Sequence, residues 1–195
     1  MPYPAKIDPS ELGRQCLALI EDKGWDAWTI RDVAIHLGVS PNAIYRYVDG
    51  RDGLIVHIGA AAANAVREAI EVAVGDDPTG RFVDMAYRYV DFAITRPAAY
   101  QAFVRAKPDA TDPAYGSWYS CWVVVQNVAS EVAPDCVDSC GFALWSMLHG
   151  RIDLTLGPTA LINARTGLED AVRAVIAGFA SAGALDPLIP TFDGG

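Results

Sequence analysis

The chain has 195 residues, of which 52% are hydrophobic and 20% charged, with five Trp. That length supports one or two compact units with a real core, and the balance excludes an intrinsically disordered chain. The formal net charge of −9 argues against a protein that coats nucleic acid indiscriminately, yet the acid is unevenly spread: the first 56 residues hold six Lys/Arg against eight Asp/Glu, the remaining 139 hold nine against sixteen.

Met1 to Gln15 carries Lys6, Asp8, Glu11 and Arg14 without an apolar run, and nowhere do about 18 apolar residues follow one another. A cytoplasmic location with no membrane partner is therefore expected. Cys16, Cys121, Cys136 and Cys140 are expected as buried or free thiols and not as a disulfide framework.

Pro- and Gly-rich punctuation separates segments that are apolar at helical spacing, so an all-α fold is expected and no sheet is called for. The first helix covers about 9–23, with Leu12, Cys16, Leu19 and Ile20 on one stripe and Gly24 as its stop. Thr29 opens the second, with Asp32 three residues on in the capping-box arrangement and Ile30, Val33, Ala34 and Leu37 on the buried face. Gly38-Val39-Ser40 forms a tight turn: Gly tolerates positive φ, Val39 plugs the corner, and Ser40 is a good N-cap. Pro41 begins a short third helix over 41–47, and Asp49 is placed to cap a fourth that starts near Arg51 and runs to about Val74. Further helices are expected at 79–95, 97–106, 113–132, 135–156 and 168–183.

Residues 29–47 thus read as helix, tight turn and short helix, the unit whose second helix fits a major groove. With Ile44 and Val48 facing inward, Pro41, Asn42, Tyr45, Arg46 and Tyr47 are left outside. Arg can fork to guanine, Asn to adenine, and Tyr hydroxyls can reach phosphate, with Thr29 and Arg51 as flanking phosphate contacts. Other three-helix units share this spacing; two tyrosines around an arginine on so short a helix are what favour a partner.

The run from Trp28 to Leu54, with Thr29-Ile-Arg-Asp-Val-Ala, Gly38-Val-Ser-Pro and Tyr45-Arg-Tyr within it, resembles the DNA-binding signature of TetR-family repressors. The resemblance implies that Thr29, Tyr45, Tyr47 and Arg51 hold phosphates while Pro41, Asn42 and Arg46 face bases. Val48 and Arg51 stand where the family more often has Phe and Lys. It further implies a homodimer on a pseudo-palindromic operator, with half-sites about 10 bp apart.

Segment 135–156 carries Phe142, Trp145, Met147, Leu148, His149, Ile152 and Leu156. Its Trp145-x-x-x-His149-Gly150 run resembles the motif of a "WHG" subgroup of TetR C-terminal domains. Gly150 inside a helix implies close approach to another helix. With Val172, Val175, Ile176 and Phe179 of the last helix, Trp145, His149, Gly150 and Ile152 are expected at a dimer interface. A lone His on an apolar face reads first as a core residue with one satisfied nitrogen. Cys136 and Cys140, at i and i+4, are the best metal or redox candidates, but two further ligands are missing nearby, so no metal or cofactor is expected.

By analogy with the family, a small apolar or aromatic effector would sit among Met85, Tyr89, Tyr100, Phe103, Trp118, Trp122 and Met147, with Arg88 or Arg105 available to an anionic group. Aromatics at such spacing also suit a plain core. Nothing carries an enzyme: there is no Gly-x-Ser-x-Gly elbow, phosphate loop or His-Glu-x-x-His. The expected architecture is a helix-turn-helix DNA-binding domain at 1–56 and a helical ligand-sensing and dimerisation domain at 57–195, about nine helices in all. The expected function is a ligand-released transcriptional repressor. The alternatives are a protein-interaction module without operator binding and a redox-responsive regulator acting through Cys136 and Cys140.

Overall fold

The computed structural model describes residues 9–158 and 162–182, and among these it contains nine α-helices, one short 3₁₀ helix and no strand. Lys6, Asp8 and residue 183 lie outside the described residues. The chain forms two compact units: residues up to Val66 with Thr95–Cys121, and Arg67–Ile94 with the residues from Trp122 onward. The boundary expected at 56/57 falls inside a helix.

In the first unit, α1 (Pro9–Lys23) buries Leu12, Cys16, Leu17, Leu19 and Ile20 and stops at Gly24, whose φ is +93°. Then α2 (Ile30–His36) opens with the expected capping box: the Asp32 N–H donates to the Thr29 hydroxyl at 3.2 Å, and the Thr29 N–H donates to the Asp32 carboxylate at 2.9 Å. Gly38 closes it at φ +67°, with the Gly38 N–H on the Ile35 carbonyl (3.2 Å) and the Val39 N–H on that of Ala34 (2.9 Å), the paired bonds of a Schellman ending. Ser40 occupies the next N-cap position, but its hydroxyl makes no capping bond.

The third helix is shorter than expected: α3 is Pro41–Ile44. Beyond it the chain tightens, with the Arg46 and Tyr47 N–H groups bonded three residues back to Ala43 (3.3 Å) and Ile44 (2.9 Å). Little room remains before the chain reverses at Gly50, where φ is +68°.

There α4 (Gly50–Glu71) begins, its first bond running from the Gly53 N–H to the Asp49 carbonyl at 3.1 Å. Its residues to 66 belong to the first unit, with Leu54, Ile58, Ala62 and Val66 buried at every fourth position. It ends before Val74 because the Val74 N–H donates to the Asp84 carboxylate at 2.9 Å and not to a helical carbonyl.

Two glycines on these helices mark close crossings. A Cβ on Gly13 would lie 2.2 Å from the His57 carbonyl oxygen, and one on Gly59 would lie 2.3 Å from the Ala106 Cβ. The unit is completed by α6 (Pro97–Arg105), following α5 (Pro78–Thr95), and by the first turns of α7 (Tyr115–Val132). Helix α6 packs on α1, with Arg96 on Glu21 at 2.7 Å and Arg105 on Asp26 at 3.3 Å. The Trp118 indole donates to the Phe103 carbonyl at 3.0 Å, and the Cys121 thiol to that of Ala63 at 3.1 Å. These contacts are why residues 95–121 cluster with the N-terminal helices.

The second unit packs α5 and the rest of α7 with α8 (Val137–Leu156) and α9 (Leu168–Ala182); the 3₁₀ helix Pro134–Cys136 precedes α8, where one continuous helix was expected. Phe82, Met85, Ala86, Tyr89, Val90 and Ala93 form the buried side of α5. Leu144, Leu148 and Ile152 of α8 and Leu168, Val172 and Ile176 of α9 are buried, and the two helices pack on each other. Gly141 lets the Trp122 ring and Val125 come within 3.2 Å of where a Cβ would stand. No described helix is long and apolar enough to cross a membrane.

Candidate nucleic-acid interface and an apolar cavity

Helix α3 has two unlike sides. Ala43 and Ile44, with Val48 just beyond, are buried, whereas Pro41, Asn42, Tyr45 and Arg46 are exposed and Tyr47 half-buried. Tyr45 leaves 54% of its surface in water, so it adds little to its own core. Arg46 and Arg51 are exposed and form no ion pair with any described residue. The Arg51 guanidinium lies over the Trp28 ring, 4.4 Å from its centroid.

Thr29 is exposed as well, but both its donors point at Asp32: the hydroxyl at 2.6 Å and the backbone N–H at 2.9 Å. The Lys23 ammonium takes the other carboxylate oxygen at 2.8 Å. The bond from Lys23, followed by that from the Thr29 hydroxyl, lowers the Asp32 pKa to about 2. A phosphate contact by Thr29 therefore requires its hydroxyl to leave Asp32.

Residues 15–58, which hold this constellation, match the model of the bacterial regulatory proteins of the tetR family. The N-terminal region is similar to that of these regulators. Over 169 residues the chain is 28% identical to Rv0681, an HTH-type transcriptional regulator of Mycobacterium tuberculosis, covering 78% of this chain and 72% of that one. The fold is similar to that of a protein of unknown function from Rhodococcus sp. RHA1 (TM-score 0.70, 20% identity, 92% of this chain and 99% of that one). It is also similar to the TetR family regulator PfmR from Thermus thermophilus (TM-score 0.59, 16% identity, 85% and 97%). By residues 15–58 the chain is thus similar to regulators of the tetR family, and its described residues share the all-helical fold of these solved structures.

The second unit contains a small apolar pocket, partly open to solvent, lined by Ile70, Phe82, Met85, Tyr89, Val125, Trp145 and Leu148. Of the residues expected there, Met85 and Tyr89 take part. Tyr100, Phe103 and Trp118 belong to the first unit, where Tyr100 and Phe103 are core. Trp122 stands beside Trp145, with ring centroids 6.1 Å apart, and Met147 is half-buried off the lining. Trp145, expected at a subunit interface, lines this pocket, because the inward side of α8 is set by Gly141, Leu144, Leu148 and Ile152 and carries Trp145 with it. Sequence reasoning passed over Ile70, Phe82, Val125 and Leu148, aliphatic or aromatic residues indistinguishable from core. The available signal was the spacing of Phe82, Met85 and Tyr89 on one helical face.

The Tyr89 hydroxyl and His149 Nε2 lie 2.9 Å apart, and the His149 ring stacks on Trp145 at 22° with centroids separated by 5.6 Å. Burial lowers the His149 pKa, with Asp153 opposing. Arg88 sits on Asp84 at 2.7 Å, and Arg105 belongs to the first unit, so neither offers the cavity an unpaired cation.

Of the residues expected between subunits, Ile152, Val172 and Ile176 are interior to the chain, while His149, Val175 and Phe179 are half-buried. Gly150 does not meet another helix of its own chain: it is exposed, and nothing lies within 4 Å of where its Cβ would stand. Gly178 is equally open, and Phe142 of α8 is 54% exposed.

All four cysteines are buried. The Cys136 thiol donates to the Phe179 carbonyl at 3.4 Å, and burial, with a smaller contribution from Cys136, pushes Cys140 up to about 11. A thiol so raised is un-ionised at neutral pH, which disfavours oxidation. Among the described residues no three His, Cys, Asp or Glu gather as a metal site.

Proposed function

We propose that this regulator is a ligand-released repressor acting as a homodimer on a pseudo-palindromic operator. The observation that carries the reading is the two-sided α3: Ala43 and Ile44 lock it to the core while Asn42, Tyr45 and Arg46 stand in water with Arg46 uncompensated. In this reading Pro41, Asn42 and Arg46 meet base edges, and Tyr45, Tyr47 and Arg51 meet phosphates. Thr29 serves first as the cap that holds α2 and only secondarily as a phosphate contact. The DNA-reading domain extends to the end of the first unit in α4, beyond the expected 56.

The effector is a small uncharged apolar or aromatic molecule, taken up among Phe82, Met85, Tyr89, Val125, Trp145 and Leu148. Both α4 and α7 pass from one unit to the other, so a ligand that favours one setting of these helices shifts the spacing of the paired α3 helices. The second copy docks on the open faces of α8 and α9, at Phe142, Gly150 and Gly178, in the manner of the WHG-like motif Trp145–Gly150.

The first test is fluorescence anisotropy of the purified chain on the intergenic DNA upstream of its own coding sequence, beside an Arg46→Ala, Tyr47→Ala double variant at fixed salt. Nanomolar-range binding that the double variant loses supports the reading; equal binding by both refutes the assigned face. Nothing lies within 4 Å of where a Cβ on Gly150 would stand, so Gly150→Arg is expected to leave the fold intact and give a monomer in sedimentation.

A further inference from the structure

We infer that Trp28 is a positioning residue for DNA binding: the face of its indole seats the Arg51 guanidinium where that side chain meets a backbone phosphate. The inference rests on reading Arg51 as a phosphate contact. Trp28 is only 2% exposed, and its ring carries the Arg51 guanidinium at 4.4 Å from the centroid, with the Trp25 ring edge-on at 6.5 Å.

Three observations set this apart from ordinary core packing. The indole N–H of Trp28 is buried with no acceptor. A phenylalanine would fill much of that space without an orphaned donor, whereas an indole presents the face that best attracts a cation. Arg51 also forms no ion pair with Asp49, Asp52 or any other described residue, so its guanidinium rests on the ring without a competing carboxylate. Finally, the backbone that carries the ring is anchored: Thr29 is tied to Asp32, and Asp32 to Lys23 at 2.8 Å.

The chemistry favours arginine here over the lysine more usual in the family. A planar guanidinium can lie on the ring and still direct the N–H groups of its edge at a phosphate, which an ammonium cannot do in the same way. Held flat, the side chain has less rotamer freedom to lose when DNA arrives.

The test is a double-mutant cycle on the full-length chain, with the probe being the tightest duplex that the wild-type chain selects from a random-sequence library. Affinity and its salt dependence are read for wild type, Trp28→Phe, Trp28→Leu, Arg51→Ala and Trp28→Leu with Arg51→Ala, with helix content checked for each. Arg51→Ala is expected to lower affinity and reduce the slope of log K against log salt by about 0.9, one phosphate. Trp28→Leu is expected to weaken binding about two- to fivefold in the wild-type background and not at all in Arg51→Ala, with Trp28→Phe between.

Equal losses in both backgrounds, or no loss, overturn the inference while leaving Arg51 a phosphate contact. An unchanged slope in Arg51→Ala removes that contact and the inference together. Should Trp28→Leu fail to fold, Trp28→Phe carries the same cycle.

Discussion

The two units treat their arginines differently. In the second, Arg67, Arg81, Arg88, Arg165 and Arg173 each lie on a carboxylate, and Arg151 donates to the carbonyls of Ala164 and Thr166. In the first, Arg14, Arg96 and Arg105 are paired likewise, but Arg31, Arg46 and Arg51 form no ion pair with any described residue. All three stand on α2, just after α3 or at the start of α4. A net charge of −9 therefore says little about which surface meets a polyanion. What matters is which cations remain uncompensated, because only those displace counterions from DNA at no cost in broken pairs.

The comparison breaks most visibly through DNA affinity. Arg46→Ala should cost about 1–3 kcal/mol of binding, a loss of roughly five- to 150-fold. Arg165→Ala removes an equal formal charge already balanced by Asp91 and should leave affinity unchanged in the same anisotropy titration. Similar losses from both would mean that whole-chain charge, and not pairing, governs the encounter.

A smaller effect tests the carboxylate that caps α2. Thr29→Ala removes a cap and should lower stability by about 1 kcal/mol in thermal unfolding. Asp32 is held near 2, below its ordinary 3.8, chiefly by Lys23 and then by Thr29. A lowered carboxylate pKa contributes stability that is present above 3.8 and is lost as pH falls from there through about 2. The stability difference between wild type and Asp32→Asn should therefore be constant near neutrality and shrink across that window. A difference independent of pH would show that Asp32 acts through its shape and not its charge.

How far the sequence disclosed this protein follows the same division. Local chemistry was legible: the Thr29–Asp32 box, the positive φ at Gly24 and Gly38, and the buried stripe of α1 each depend on residues a few places apart. The end of α3 at Ile44 was not, because the reversal at Gly50 decides it from outside the helix. Nor was the end of α4, fixed by a bond from Val74 to Asp84 ten residues on. The exposed residues Asn42, Tyr45 and Arg46 could be listed because polar residues have no use inside. The cavity could not, since a pocket lined by Ile70, Val125 and Leu148 uses the same residue types as a core. Trp145 was left out of the expected pocket lining for that reason, while Trp28 was quoted in the signature without its link to Arg51 being visible.

The smallest expected effect lies in the second unit, where charge is avoided and not merely paired. His149 is half-buried, stacked on Trp145 and bonded to the Tyr89 hydroxyl at 2.9 Å, and desolvation lowers its pKa from the ordinary 6.5. The unfolded chain then binds the proton more readily than the folded one, so stability rises with pH through this region. Put the other way, stability is lost as pH falls below 6.5 toward the lowered folded value and levels off beneath it. When the Tyr89 hydroxyl donates to Nε2, protonation of that nitrogen also removes the acceptor. His149→Gln, which keeps a hydrogen-bonding side chain but does not titrate, should flatten the slope of melting temperature between about pH 5 and 7, while Tyr89→Phe should leave a slope and lower the whole curve. An unaltered slope in His149→Gln would place the titrating group elsewhere and leave the Tyr89–His149 bond as packing alone.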